Sequence, residues 1–269
     1  MTNQYGQMPK EKDTITHRGH ELLSVLRRLG GSARNAQIAQ VMDVSEETVR
    51  RLVKALDKSG QVERVHGGTY LRGNEDTPVF TGKLSQNPKG KTRIAQAAAE
   101  MVYDEMTVFL NVGSTTTYIA EQLRIRRKLM VVTNSVTVAS ALANHNGNRV
   151  FLAGGEIFHS ERGAFGAATE AYARQFSYDV AILGCDAISA DYGFMVMNPS
   201  EADLTRTITE QARRCVMAAD SRKFIQRAPV VACPPERITD LITDAAPDAP
   251  LTKSLANWRV ATYIANKKD

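Results

Sequence analysis

Residues 44–71 read VSEETVRRLVKALDKSGQVERVHGGTYL, a spacing that predicts a capped helix followed by a hairpin. Ser45 is a natural N-cap, because its hydroxyl can accept from a free amide of the first turn. Glu46 and Glu47 then sit where the helix dipole favours negative charge. Val49, Val53 and Leu56 recur at i, i+4 and i+7, and Leu52 widens the stripe to one buried face. Thr48, Arg50, Arg51 and Lys54 fall largely outside that stripe. After Gly60, QVERV and TYLR flank His66, Gly67 and Gly68, the pattern of two short strands around a tight glycine turn.

Upstream, HRGHELLSVLRRLG carries Leu22, Leu23, Leu26 and Leu29 at helical spacing, and Gly30-Gly31 ends it. A second short helix follows in NAQIAQVM, where Ile38, Ala39 and Met42 supply the apolar contacts. Two helices joined by a short turn, the second basic on its open face, are what docking in a DNA major groove requires. The candidate DNA contacts are Ser45, Glu47 and Thr48 near the start of the second helix, then Arg50, Arg51 and Lys54 for phosphates. Arg64, His66, Gly67 and Gly68 form the expected wing. Charge agrees: residues 1–72 hold 12 Lys+Arg against 8 Asp+Glu, so most of the net +5 falls in the first quarter. The bland reading is a three-helix packing unit with an ordinary solvated basic face.

Residues 73–90, GNEDTPVFTGKLSQNPKG, break all periodicity and read as a linker between a domain over 1–72 and one over 91–269. From Lys91 onward, helical and strand patterns alternate. RIAQAAAEMV is helical, and TVFLNV is a strand running into residues 113–117, with the next helix expected near Tyr118. KLMVVT, NRVFLAG, DVAILGC, CVMAAD, LITDA and WRVATYI supply further strands. Buried apolar strands alternating with helices predict an α/β domain: a mostly parallel sheet with helices on both faces. Small polar residues fall just after the strands, where open α/β sheets bind ligands. Gly113-Ser114-Thr115 before a helix offers amides, hydroxyls and a helix N-terminus to an anion, and Lys223 can neutralise one phosphate charge. Taken singly, each such loop reads as an ordinary turn or cap; four or five of them on one sheet edge point to a ligand site. The loop lacks a Walker lysine pattern, so nucleotide hydrolysis is not implied.

No apolar run reaches the roughly 18 residues of a membrane span. The N-terminal MTNQYGQMPKEKDT lacks the apolar core of a signal peptide, so the expected location is cytoplasmic. Cys185, Cys215 and Cys233 are odd in number and widely spaced, which suggests reduced thiols. The five histidines are scattered. Neither a metal nor a cofactor is expected.

At Val44, Ser45, Thr48, Val49, Arg50, Arg51, Leu56, Gly60 and Arg64-Val65-His66-Gly67-Gly68 the chain resembles the DeoR family of transcriptional regulators. The resemblance continues through NPKGKTRIA, GSTTTYIA, VVTNS, LAGGE, DVAILG and DSRKF, over roughly residues 18–245. It implies a winged helix-turn-helix followed by a sensor domain similar to the sugar-phosphate isomerase and CoA-transferase folds. It also implies effector contacts at Gly113, Ser114, Thr115, Thr133, Asn134, Gly154, Gly155, Asp220 and Lys223, and further contacts at Lys91 and Glu201. Three positions depart from the family pattern: Leu52 and Asn111 replace acidic residues, and Thr205 replaces a helix lysine.

The function expected on this basis is a repressor of a sugar or polyol operon, released from double-stranded operator DNA by a small phosphorylated metabolite. A homodimer or larger homo-oligomer is expected, because two-fold protein symmetry is matched by inverted half-sites. An alternative is a sugar-phosphate isomerase-like enzyme fused to a DNA module, with Glu156, Asp186, Glu201 and Lys223 as acid-base groups. A DNA-organising protein would leave the C-terminal loops unexplained.

Overall fold

The computed structural model describes residues 17–29, 32–65, 68–71, 83–84, 86–158 and 160–265. His66 and Gly67, expected at the tip of the wing, lie outside them. The chain divides into two units, Met1–Thr77 and Pro78–Asp269.

The N-terminal unit holds α1 (His17–Arg28), β1 (Ser32–Arg34), α2 (Asn35–Met42), α3 (Glu46–Lys58), β2 (Val62–Val65) and β3 (Gly68–Leu71). Asp43, at φ 50°, ends α2 in a left-handed cap, and Ser45 starts α3 by accepting from the Thr48 amide at 3.2 Å. The two helices are therefore joined by a turn only a few residues long. Leu22, Leu26, Ile38, Met42, Val49, Val53, Leu56 and Val62 form one buried cluster. Leu52 packs against its edge, so its departure from an acidic residue extends the core. The sheet has the order β1-β3-β2, all antiparallel. Strand β1 was not foreseen: its three residues carry no alternation and are ordered by pairing with β3.

The C-terminal unit is built on seven parallel strands. They are β4 (Thr107–Leu110), β5 (Met130–Thr133), β6 (Arg149–Leu152), β9 (Val180–Leu183), β12 (Cys215–Ala218), β14 (Asp240–Thr243) and β15 (Ala261–Ile264), in the order β15-β14-β12-β9-β4-β5-β6. Successive side chains feed opposite faces. Val108, Leu110, Val180, Ile182 and Val216 join one cluster, whereas Phe109, Ala181, Leu183 and Met217 join the other. Helices α4 (Pro88–Glu100), α5 (Ser114–Leu123) and α6 (Val136–Leu142) cover the first face. The second is covered by α7 (Ala167–Ala173), α8 (Pro199–Gln211) and α9 (Ala249–Asn257). Two-sided burial explains why the five inner strands read as continuous apolar runs; the edge strands β6 and β15 are largely exposed. Two short antiparallel additions went unread: the hairpin of β7 (Glu156–Phe158) with β8 (Gly163–Phe165), and the sheet of β10 (Ala187–Ser189), β11 (Gly193–Val196) and β13 (Val230–Val231).

Two helix starts differ from expectation. Helix α5 begins at Ser114, not near Tyr118, because the threonines bond back into the first turn. The Thr116 hydroxyl donates to the carbonyls of Asn111 (2.9 Å) and Gly113 (3.0 Å), and that of Thr117 to Gly113 (2.8 Å). Helix α4 begins at Pro88, inside the segment expected to be linker. Asn87 caps it by accepting from the Gly90 amide at 3.1 Å, and proline is pre-organised for the first helical position. Gly90 is required there, since a Cβ would collide with the side chains of Asp244 and Asn87.

From β4 the chain steps through β5 to β6, whereas β9, on the other side of β4, leads to β12, β14 and β15. The order reverses between β4 and β9. Open α/β sheets bind ligands outside the carboxyl ends of the strands at such a reversal.

Candidate functional site

Helix α3 presents Glu47, Arg50, Arg51 and Lys54 as exposed side chains, with Thr48 half-buried and Ser45 at the cap. The Arg50 guanidinium lies 3.6 Å from Glu46 and 3.5 Å from Glu47. All three side chains are about half exposed or more, so these pairs are worth at most about 1 kcal/mol and give way readily to a stronger anion. Arg64 is exposed on β2, and Gly68 opens β3.

In the C-terminal unit, a small cavity of about 30 Å³ opens where β4 and β9 part. It is lined by Lys83, Val112, Gly113, Ser114, Thr115, Glu161, Gly184, Cys185, Asp186, Glu201, Ala218 and Lys223. Gly113 supplies no capping oxygen to α5, leaving its first-turn amides available to an incoming anion. Asn111 ties the two strand ends together: its oxygen accepts from the Gly184 amide at 2.9 Å and its nitrogen donates to the Gly184 carbonyl at 3.3 Å. An aspartate here could make the first bond but not the second.

Lys83 Nζ lies 2.9 Å from Asp186 Oδ1 and 3.7 Å from Glu161 Oε2, and Lys223 Nζ lies 3.9 Å from Asp186. Burial works to lower the Lys83 pKa, but Asp186 and Glu161 together hold it above the usual lysine value. Glu201 goes the other way: burial first, then the charges of Asp186 and Glu161, raise its carboxyl to about 8. At neutral pH it is mostly protonated and adds little negative charge to the cavity. Burial also raises the Cys185 thiol, which keeps it out of nucleophilic chemistry.

Five of the expected effector residues thus meet in one place: Gly113, Ser114, Thr115, Glu201 and Lys223. Lys91 stands in the wall behind them, fully buried, and donates to the carbonyls of Lys83 and Gln86. Burial foremost, helped by Arg222, Lys223 and Lys83 against Asp220, lowers its pKa to about 7. Asp220 is buried outside the lining and binds Arg222 at 2.7 and 2.8 Å. Thr133, Asn134, Gly154 and Gly155 do not line the cavity. Thr133 donates to Leu110 at 2.6 Å, Asn134 donates to Ala164 at 2.9 Å, and the Gly154 carbonyl accepts from Thr169 at 2.9 Å. A Cβ on Gly155 would strike Thr169. These four brace the neighbouring loops. Lys83 and Glu161 were missed, since neither has a local sequence signal.

The arrangement can take a small anion where it displaces carboxylates: helix amides and two ammonium groups converge, Glu201 is mostly neutral, and Asp186 and Glu161 are the anions already paired with the lysines. Deprotonation of Glu201 above about pH 8 adds a negative charge, so anion binding is expected to weaken as pH rises from 7 to 9. Loss of charge from Lys91 above about 7 acts in the same direction. Sulfate, whose charge is constant over this window, should bind on the order of tenfold more weakly at pH 9 by calorimetry. Glu201→Gln should flatten the Glu201 part of that dependence and leave the part due to Lys91. An unchanged profile in the variant would remove Glu201 from the site.

Two family models match the chain. "DeoR-like helix-turn-helix domain" matches residues 18–73 and "DeoR C terminal sensor domain" matches residues 86–245. Among curated relatives, the HTH-type transcriptional repressor CsqR of Escherichia coli K12 is 28% identical over 91% of this chain and 94% of its own length. The glycerol-3-phosphate regulon repressor of the same organism is 29% identical over 93% and 98%. The HTH-type transcriptional regulator GlpR of Haloferax volcanii is 32% identical over 76% and 80%.

Proposed function

Because the chain belongs to the DeoR family of transcriptional regulators, we propose that it represses an operon of sugar or polyol catabolism and is released from its operator by a phosphorylated metabolite. It is a regulator rather than an enzyme: relatives matching almost its whole length are named transcriptional repressors. Asp186, one candidate acid-base group, is also engaged by Lys83 and by the Met197 amide at 3.0 Å.

The observation that carries the effector reading is the convergence of the α5 N-terminus with Lys83 and Lys223 at the strand reversal. A phosphate would lie against the amides of Ser114 and Thr115, with the ammonium groups turned to its oxygens. Glu201, protonated, would meet a hydroxyl of the carbon chain. Operator DNA would receive α3 in its major groove, with Arg50, Arg51 and Lys54 on phosphates and Glu47 and Thr48 near base edges. Arg64, His66, Gly67 and Gly68 would form the wing. The protein would work in the cytoplasm as a homodimer or larger homo-oligomer, since one winged helix reads too few bases to select an operon. No helix among the described residues is long and apolar enough to cross a membrane.

A thermal-shift panel of phosphorylated sugars and polyols, each beside its unphosphorylated parent, tests the ligand class. A ligand at 100 times its dissociation constant adds about 2.7 kcal/mol to native stability. Only phosphorylated members should raise the melting temperature. Equal shifts from both members of a pair would contradict the phosphate reading.

A further inference from the structure

The cavity is too small for the ligand proposed above. At about 30 Å³ it has room for about two waters, so a phosphate on a carbon chain does not fit within its walls while the lining side chains stay as they are. Most of the lining cannot withdraw. Gly113, Ser114 and Thr115 are helix-start backbone, Glu201 is buried on α8, and Asp186 accepts from the Met197 amide as well as from lysine. Lys83 is different. Its side chain is 24% exposed, and its ammonium is held in the cavity by two carboxylates that a phosphate can replace.

Lys83 also differs in where it stands in the chain. It belongs to the C-terminal unit but follows closely on the junction at Thr77 and Pro78, whereas the other charged lining residues come from deep within the α/β fold. Its surroundings are fastened by the elements that build the cavity. The Tyr118 hydroxyl, on α5, donates to the Leu84 carbonyl at 3.3 Å. Arg222, on the turn that carries Lys223, donates to the Gln86 side chain at 2.7 Å. Lys91 donates to the carbonyls of Lys83 and Gln86, and Asn87 donates to Asp244 at 2.7 Å.

From this geometry we propose that Lys83 is an effector-contact residue that exchanges partners. Without ligand it closes the cavity by pairing with Asp186 and Glu161; with ligand its ammonium leaves them for the phosphate. Because Lys83 stands where the chain arrives from the DNA-binding unit, that exchange loosens the fastening of Leu84, Gln86 and Asn87 and passes occupancy toward the N-terminus. The proposal rests on the phosphate reading above and adds the residue that reports it.

The test is hydrogen exchange at the amides of Leu84, Gln86 and Asn87 in the full-length protein, with inorganic phosphate as probe and calorimetry recording its binding. In the wild type, saturating phosphate should speed exchange there about tenfold. Asp186→Asn and Lys83→Met should show the fast rate without phosphate and respond little to it. Lys83→Arg, which keeps charge and reach, should stay slow until phosphate is added. Slow exchange in both neutralising variants without phosphate would overturn the proposal. So would wild-type protein that binds phosphate with no change at these amides. A wild type that fails to bind phosphate, alongside variants that exchange fast, would remove the phosphate reading and the ligand step while leaving the ion-pair latch.

Discussion

Ser114→Asp is expected to give a protein that holds operator normally and is not released by effector at any attainable concentration. Ser114 is the first residue of α5 and lies in the cavity wall, 9% exposed. A carboxylate there sits at the positive end of the helix dipole, so the substitution does not oppose the helix itself. It does occupy the place of an incoming phosphate. Like charges at about 4 Å repel by roughly 1 kcal/mol in water and several times that in a half-buried cleft, so ligand affinity should fall at least about 100-fold. Lys223→Met removes one ammonium while keeping length, and a loss of about tenfold to 100-fold is expected. An operator-release titration reads both. Normal release from the two variants would return these residues to the role of ordinary turn and cap. A melting curve beside each titration separates lost ligand binding from lost folding.

Arg50→Ala is expected to weaken operator binding by about 100-fold, and Arg51→Ala by about tenfold, at matched salt. Both side chains are exposed on α3, so neither substitution should lower the melting temperature. The difference follows from the neighbours. Arg50 is the cation beside Glu46 and Glu47, and removing it leaves two carboxylates uncovered where DNA phosphates must approach. Binding curves at several salt concentrations should show a shallower salt dependence for both variants, because fewer counterions are released. Wild-type affinity in both variants would mean that α3 is not the groove helix.

The five inner strands of the large sheet were legible in the sequence because burial on both faces leaves no polar alternation to disguise them, whereas the exposed edge strands β6 and β15 were legible from their β-branched and aromatic residues. Helix α3 was legible for the opposite reason: its stripe is narrow, its cap is a serine, and its remaining face is charged. The short strands were not. β1, β7, β8, β10 and β13 are two or three residues long, and their order comes from partners distant in sequence or from tight hairpins. Residues 113–117 look like a loop because of their glycine and three threonines, yet the threonine hydroxyls bond back to carbonyls and complete a helical turn.

In the site, the residues after β4 and the lysine after β12 were readable from their position after strands, the α8 glutamate came only from the family resemblance, and the cavity brings them together. Thr133, Asn134, Gly154 and Gly155 share the same signal, small polar residues after a strand, but the Thr133 hydroxyl, the Asn134 amide nitrogen and the Gly154 carbonyl bond to neighbouring segments, and Gly155 has no room for a side chain. Lys83 was hidden because its surroundings are polar and interrupted by Gly and Pro, a composition that reads as linker. Only the contacts from Tyr118, Lys91 and Arg222 reveal that the segment is fastened to the fold.

If ligand in this cavity and operator on α3 oppose one another, the opposition is reciprocal by thermodynamic necessity. Calorimetry with and without saturating operator duplex gives the dissociation constant of the stabilising phosphorylated ligand in the two states. Ligand binding is expected to be weaker in the presence of operator, by the same factor, about five- to 150-fold, with which ligand weakens operator binding. Equal ligand affinity with and without operator would contradict it.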